Sequence, residues 1–320
     1  MAPRVTALAT REIARTGIRL TELGFGAASL GNLYSVTADE DAAASVETAW
    51  DCGIRYFDTA PHYGLGLSER RLARSLAAYP RDQFIVSTKV GRLLVPNERP
   101  TARDVDFVVP GDMRREWDFS RDGVLRSVEA SLARLGLDRI DILYLHDPDL
   151  APAADAAITG AAALIELREQ GVVRAVGIGS NDAHAITTCF EQSDIDLAMV
   201  AGRFTALEHE SAEEMFEAAV GRTVVAAGVF NSGVLAQSRP GQGAMYNYEP
   251  APQEVLDRAN QLADIAEANG ATLPQLAIRF PLQNPQVASV VLGMRNSAQV
   301  MRNVALYEPP IDPRVWAQVN

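Results

Sequence analysis

Eight short apolar strands, each followed by a helical stretch, predict an α/β chain folded as a (β/α)8 barrel. Two further observations support that class. The strands are rich in Val, Ile and Ala without clean period-two alternation, as expected of a parallel sheet covered on both sides. The surplus of the 320 residues over the ~250 typical of such barrels sits mainly in loops after strands three and seven, which open on the carboxyl-terminal face. A doubly wound sheet is the rival. It requires a glycine fingerprint opening a helix after strand one, and L-G-F-G-A-A-S-L-G does not open one. With no linker or composition break, residues 1–320 read as one domain.

The elements follow in order. Residues 11–20 suggest two short strands around Thr16-Gly17, a hairpin that plugs the bottom of the barrel. Strand one is Leu23–Ala28, followed by a loop to Val36. Thr37 suits the cap of a helix whose first turn is acidic, and Gly53 closes it. Strand two is Ile54–Asp58, helix two Ser68–Ala78 and strand three Phe84–Lys89. Residues 90–119 read as a long irregular loop. Ser120 caps a helix that stops at Gly136; strand four is Ile140–His146, helix four Ala153–Gln170, strand five Val172–Gly179 and helix five Ala183–Gln192. Strand six is Leu197–Ala201, helix six Ser211–Val220 and strand seven Thr223–Ala227, before a second irregular loop over Phe230–Pro252. Helices over Gln253–Asn269 and Leu273–Gln283, strand eight over Val287–Leu292 and a last helix from Ser297 complete the chain.

Composition narrows the function. Hydrophobic residues make up 48% and no window approaches ~20 uninterrupted apolar residues, which argues against disorder and against a spanning helix. A net charge of -12 leaves no basic stripe for nucleic acid. Cys52 and Cys189 are isolated, outside any C-x-x-C, and the N-terminal stretch shows no apolar signal core. These features lead to the expectation of a cytoplasmic protein with reduced thiols and no membrane partner. G-L-G-L-S-E is a partial dinucleotide fingerprint in the wrong context. H-D-P-D (His146, Asp147, Asp149) resembles a metal cluster, but strand alternation is expected to turn His146 and Asp147 apart, and no metal is expected. There is no G-x-S-x-G and no H-E-x-x-H.

The chemistry is expected at strand ends. Asp58 ends strand two and Tyr63 follows it on a turn marked by Pro61, Gly64 and Gly66; Lys89 ends strand three and His146 ends strand four. Singly, these suit a cap, a packing aromatic, a solvated strand end and a core histidine. Together, on adjacent strand ends of one rim, they make an acid–base kit. A lysine ammonium favours phenolate and so is expected to lower the tyrosine pKa. Asp58 holds Lys89 charged, and His146 orients a substrate oxygen. Such a kit moves the proton of a carbonyl or alcohol, and the accompanying hydride calls for a cofactor.

The motifs R-Y-F-D-T-A-P-H-Y-G, S-T-K-V-G and L-Y-L-H-D-P-D resemble aldo-keto reductase signatures, and the similarity extends over essentially the whole chain. The resemblance implies a catalytic tetrad of Asp58, Tyr63, Lys89 and His146. W-D-F-S-R-D-G-V-L-R, G-V-F-N-S-G-V-L-A and Y-N-Y-E-P-A-P resemble a narrower branch that oxidises sugars, or a pyridoxal hemiacetal, at the anomeric carbon to a lactone. An aldose of the L-fucose, L-galactose or D-threo type is the expected substrate, with pyridoxal oxidation or NADPH-driven aldehyde reduction as alternatives within the enzyme class. Some members of the fold serve instead as cofactor-sensing regulatory subunits of potassium channels. The oligomeric state, monomer or dimer, is left open.

The same resemblance implies the cofactor site, for NAD or NADP with a lean to NAD. Ser180 and Asn181 are expected at the nicotinamide carboxamide, with a helix-five cap by Asn181 or Asp182 as the lesser alternative. Phe204 is expected to stack on the nicotinamide, with Arg203 and Thr205 equally near. Phe230, Asn231, Ser232, Gly233 and Leu235 match a pyrophosphate loop. Gly293, Met294, Arg295, Gln299 and Asn303 match the adenosine end, where Arg295 either meets a 2′-phosphate or stacks on adenine. Tyr34, His62, Trp117 and Asp118 are the expected substrate contacts, on loops that overhang the pocket.

Overall fold

The computed structural model describes residues 8–247 and 249–319. Residues 1–7, in the stretch read as lacking a signal core, and Tyr248, within Y-N-Y-E-P-A-P, lie outside them. Eight parallel strands close a barrel in sequential order: β1 (Leu23–Gly26), β2 (Tyr56–Asp58), β3 (Ile85–Val90), β4 (Ile142–His146), β5 (Ala175–Ser180), β6 (Leu197–Ala201), β7 (Thr223–Ala227) and β8 (Val287–Gly293). β8 pairs with β1 through Val290↔Leu23 to Gly293↔Gly26, which closes the sheet.

Helices cover the outside: α1 (Asp39–Asp51), α2 (Leu67–Leu76), α3 (Arg121–Leu135), α4 (Ala156–Glu169), α5 (Ala183–Gln192), α6 (Glu213–Ala218), α7 (Gln253–Ala268), α8 (Leu273–Arg279), α9 (Ser297–Tyr307) and α10 (Trp316–Val319). The strands' outward side chains, such as Phe57, Val86, Leu143 and Leu145, pack against these helices in one buried cluster. The inward ones, including Tyr56, Ile142, Tyr144 and Met199, form a second cluster inside the barrel, which Ile13, Ile18 and Leu20 of the N-terminal hairpin close from below. Both faces of each strand are therefore buried, which is why the strands do not alternate. Among the described residues no helix is long and apolar enough to cross a membrane.

Several expectations shift. The hairpin pairs Thr10–Glu12 with Arg19–Thr21. Ala38, not Thr37, sits at the N-cap of α1; the Thr37 hydroxyl donates to Ser29 O and its amide to Asn32 Oδ1. Ser120 does cap α3, accepting from Gly123 N, and Gly136 ends it in the left-handed conformation. The helix from Leu273 stops at Arg279, because Pro281 lacks the N–H to continue it. The largest difference is residues 90–119. Rather than an irregular loop, they form an antiparallel ribbon, Arg92–Thr101 against Gly111–Trp117. Its strands carry Pro96 and Pro100, tolerable in a ribbon with open edges. The second irregular loop holds a 3-10 segment, Asn231–Ala236, and a two-residue pairing of Met245–Tyr246 with Glu249–Pro250.

Candidate active site

The carboxyl ends of β2, β3 and β4 meet as their register dictates. Asp58 lies beside Ser87, Lys89 beside Tyr144, and His146 beside Gly179. Period two along β3 puts Ser87 and Lys89 on the same, inward face. Tyr63 comes off the turn after β2. That turn sits directly on the loop after β1: a Cβ on Gly31 would lie 2.6 Å from the Tyr63 carbonyl carbon, and one on Gly64, whose φ is +63°, 2.4 Å from Gly31 O. Only glycines permit this approach.

Lys89 and Asp58 are both buried, each side chain only 3% exposed, and joined at 2.7 Å. Lys89 Nζ donates to Asp58 Oδ2, to Thr59 O at 3.0 Å and to the Tyr63 hydroxyl oxygen at 3.1 Å, which uses all three of its hydrogens. Because an ammonium cannot accept, the hydrogen of the Tyr63 hydroxyl is left to point elsewhere, and nothing among the described residues accepts it. Ser87 Oγ donates to the other oxygen of Asp58 at 2.6 Å. With that hydrogen committed, Tyr56 must donate to Ser87 Oγ at 3.0 Å, and Tyr144 to Tyr56 at 3.2 Å. A chain of hydroxyls through the barrel interior thus ends on the carboxylate, and each bond polarises the next.

Burial opposes the Lys89 charge, but Asp58 and Tyr63 outweigh it and hold the ammonium above its ordinary value. Tyr63 differs from expectation. Burial pushes the phenol up by more than Lys89 pulls it down, and Asp58 adds to the rise, so its pKa is raised. The ammonium acts with the expected sign, but desolvation is the larger effect. Burial, then Arg92 and Lys89, holds His146 well below the usual imidazole range, so it is neutral. Its Nδ1 is buried without a partner, and its Nε2 lies 3.6 Å from Asp147 Oδ2. Asp147 leaves the strand with φ +44° and so faces the same cavity as His146, contrary to simple alternation.

One cavity of about 680 Å³ gathers Asp58, Tyr63, Lys89 and His146 with Tyr34, His62, Ser180, Asn181 and Gly293. Its roof is the tip of the ribbon, bridged to the loop after β1 by Leu33↔Phe107 and by Asn32 Nδ2 donating to Val108 O. Ser180 Oγ donates to Asp149 Oδ1, and Asp182 rather than Asn181 caps α5, which leaves the Asn181 amide at the wall. The other expected positions do not line this cavity. Phe204 packs against Phe216 and Phe280. Trp117 lies between Arg92 and Phe119. Asp118 accepts from Ser120 and pairs with Arg126.

Phe230, Asn231, Ser232, Gly233 and Leu235 follow β7, and Asn231 through Gly233 form an unbroken run of positive φ. Met294 and Asn303 are buried, Gln299 accepts from Arg295 N, and the Arg295 guanidinium holds Leu33 O and Ser35 Oγ. Sequence reasoning passed over Ser87, whose spacing from Lys89 was a usable signal, and Arg92, Asp104 and Arg115, for which an unrecognised ribbon offered none.

Residues 22–320 match the aldo/keto reductase family. The chain belongs to that family. As an aldo/keto reductase it is an NAD(P)-dependent oxidoreductase acting on CH–OH groups, with a small-molecule carbonyl or alcohol as substrate. It is 48% identical to D-threo-aldose 1-dehydrogenase of Pseudomonas sp over 312 residues, 96% of this chain and 95% of that protein. It is 39% identical to pyridoxal 4-dehydrogenase of Microbacterium luteolum, over 97% of this chain and 96% of that one. An aldo-keto reductase of Bacillus halodurans, solved in its holo form, superposes with a TM-score of 0.75 at 25% identity, covering 98% and 95% of the two chains.

Two observations fit a nicotinamide dinucleotide on this face. Gly26, Gly179, Ala201, Ala227, Gly228 and Gly293 floor the cavity next to the tyrosine, leaving room for a flat ring. Beyond β7, Asn231 keeps a buried Oδ1 without a hydrogen-bond partner, an acceptor suited to a donor group of a bound ligand.

Proposed function

We propose that this aldo/keto reductase oxidises an aldose at C1 to the lactone, with NAD as the preferred acceptor. The observation that carries the reading is the 48% identity over nearly the whole chain to a D-threo-aldose 1-dehydrogenase. The cavity supports it: Tyr34, His62, Arg103 and Asp106 offer polar groups suited to a polyhydroxylated substrate.

In this reading Tyr63 takes the proton of the C1 hydroxyl. Its oxygen already accepts from Lys89, and once its own proton has passed to solvent the phenolate's remaining lone pairs face the substrate hydroxyl, whose proton it takes as the hydride leaves C1. Lys89 favours the phenolate that must form, and Asp58, oriented by Ser87, keeps Lys89 charged and aimed. His146, neutral at the same wall, donates to the substrate oxygen. Ser180 and Asn181 would hold the nicotinamide end, Phe230, Asn231, Ser232, Gly233 and Leu235 the pyrophosphate, and Met294, Arg295, Gln299 and Asn303 the adenosine; Gly293, expected at the adenosine end, lines the cavity with Tyr63 and would sit nearer the nicotinamide. The bound dinucleotide supplies the acceptor for the hydride. The preference for NAD is supported by the two cations between β8 and the end of α9: Arg295 holds Leu33 O and Arg302 holds Ala236 O, so both are engaged with backbone carbonyls rather than open to a 2′-phosphate.

The test is a panel of aldoses, pyridoxal and simple aldehydes with NAD and with NADP, followed by the absorbance of the reduced cofactor. Turnover of aldoses with NAD is expected. Pyridoxal as the favoured substrate would move the assignment to the second reading, which the 39% identity to a pyridoxal 4-dehydrogenase supports. No turnover of any compound would leave a cofactor-sensing role.

A further inference from the structure

We propose that His62 binds the hydroxyl on the carbon next to the reacting one, the C2 hydroxyl of an aldose, through its Nε2–H, and that Arg115 and Asp104 are positioning residues that fix it as that donor. The inference rests on the aldose reading above and adds a specificity contact to it.

The geometry begins with three rings. His62, Tyr63 and His146 stand in a triangle with centroid separations of 5.9 Å (His62–Tyr63), 5.7 Å (Tyr63–His146) and 5.3 Å (His62–His146), all at the wall of the one cavity. A C1 oxygen held between Tyr63 and His146 carries its neighbouring oxygen, one carbon away, toward the third ring.

The tautomer of that third ring follows from its partner. Arg115 Nε donates to His62 Nδ1. A guanidinium has no acceptor, so Nδ1 must be bare and the one hydrogen of the neutral imidazole must sit on Nε2. Burial, with Arg92 and Arg115 close by, holds the ring neutral by pushing its pKa down to about 2; Asp104 opposes this and Lys89 reinforces it. No described residue accepts from Nε2. Arg115 is itself set: its two terminal nitrogens donate to both oxygens of Asp104 at 2.7 and 2.9 Å, and one also reaches His62 O at 3.2 Å. Asp104 in turn accepts from the amides of Asp106 and Phe107, which form the cavity roof. The ribbon after β3 therefore reaches the reacting centre through a carboxylate, a guanidinium and an imidazole. A glutamine at 62 would place an amide hydrogen near the reach of Nε2, whereas a leucine fills the volume without a donor.

The experiment compares kcat/KM for an aldose and for its 2-deoxy analogue in the wild type, His62→Leu, His62→Gln, Arg115→Met and Asp104→Asn. The wild type should favour the aldose by roughly 10- to 100-fold, the cost of leaving a desolvated donor unpaired. In His62→Leu that ratio should collapse toward one, and His62→Gln should restore most of it. Arg115→Met and Asp104→Asn should erode the ratio although neither side chain meets the substrate; a merely structural role would lower both substrates together. In parallel, 15N spectra of histidine-labelled enzyme should show His62 with hydrogen on Nε2 alone in the wild type and as a tautomer mixture in Arg115→Met. Equal treatment of the two substrates by a wild type that does oxidise aldoses, an unchanged ratio in His62→Leu, or hydrogen on Nδ1 would overturn this inference and leave the sugar reading standing. A wild type that oxidises no aldose would overturn both.

Discussion

Replacing Lys89 by methionine keeps most of the side chain's volume and removes its charge. The structure sets the size of the effect. Lys89 and Asp58 are each 3% exposed and 2.7 Å apart. Without the ammonium, Asp58 retains only its bond from Ser87, and Thr59 O also loses a donor. Breaking one side of a buried ion pair leaves an uncompensated charge and costs about 3–5 kcal/mol. Removing both charges in Asp58→Asn/Lys89→Met keeps an acceptor for Ser87 and should return most of that loss, since neutral replacements of buried pairs are often close to isoenergetic. Urea melts at neutral pH, followed by circular dichroism, measure both, provided the slope m stays constant. The single and the double variant should both lose roughly 10²–10⁴-fold in turnover, because neither supplies Tyr63 with a cation. Stability and activity thus separate. A Lys89→Met protein as stable as the wild type, or a double variant no more stable than the single one, would refute the view that these two groups hold each other charged in the interior.

Other expectations follow from the same geometry. Tyr63→Phe should lower turnover by roughly 10²–10⁴-fold while the dissociation constant for NAD, by fluorescence titration, changes little; an equal loss of cofactor binding would count against a role on the substrate. Because the Tyr63 phenol is held above its ordinary value, its basic form is scarce at neutral pH. Oxidation should therefore quicken by about tenfold per pH unit on the way into the alkaline range, and a flat profile above neutrality would contradict a phenolate base. His62 and His146 both have depressed pKa values in the folded protein. Unfolding restores a pKa of ~6.5 and takes up their protons, so the stability they contribute is present above pH ~6.5 and is lost as pH falls toward their folded values. Between pH 7.5 and 5 the loss should be up to about 2 kcal/mol for each histidine. His62→Gln should remove its share of that difference in denaturant melts, and an unchanged pH dependence in this variant would mean that His62 is not the buried neutral group described here.

Sequence alone determined the barrel and the addresses of the groups proposed to react. Strands six and seven and helix five coincide with Leu197–Ala201, Thr223–Ala227 and Ala183–Gln192, because their apolar runs, caps and glycine stops act within a few residues. Asp58, Lys89 and His146 were legible as strand ends, and a closed sheet must bring strand ends of two, three and four together. The tertiary structure decided what depends on partners far along the chain. In the ribbon of residues 92–117 the strand Gly111–Trp117 alternates in exposure, but its inward positions include Gly111 and Arg115 beside Met113 and Trp117, so no apolar period-two pattern marks it; the pairing of its two halves defines it. The direction of the Tyr63 shift was beyond reach for a related reason. The pull of one named lysine can be anticipated, but desolvation sums over every neighbour that excludes water, and those neighbours come from many separate segments. The chain from Asp104 through Arg115 to His62 spans the ribbon and the turn after β2, a proximity that nothing local in either segment encodes.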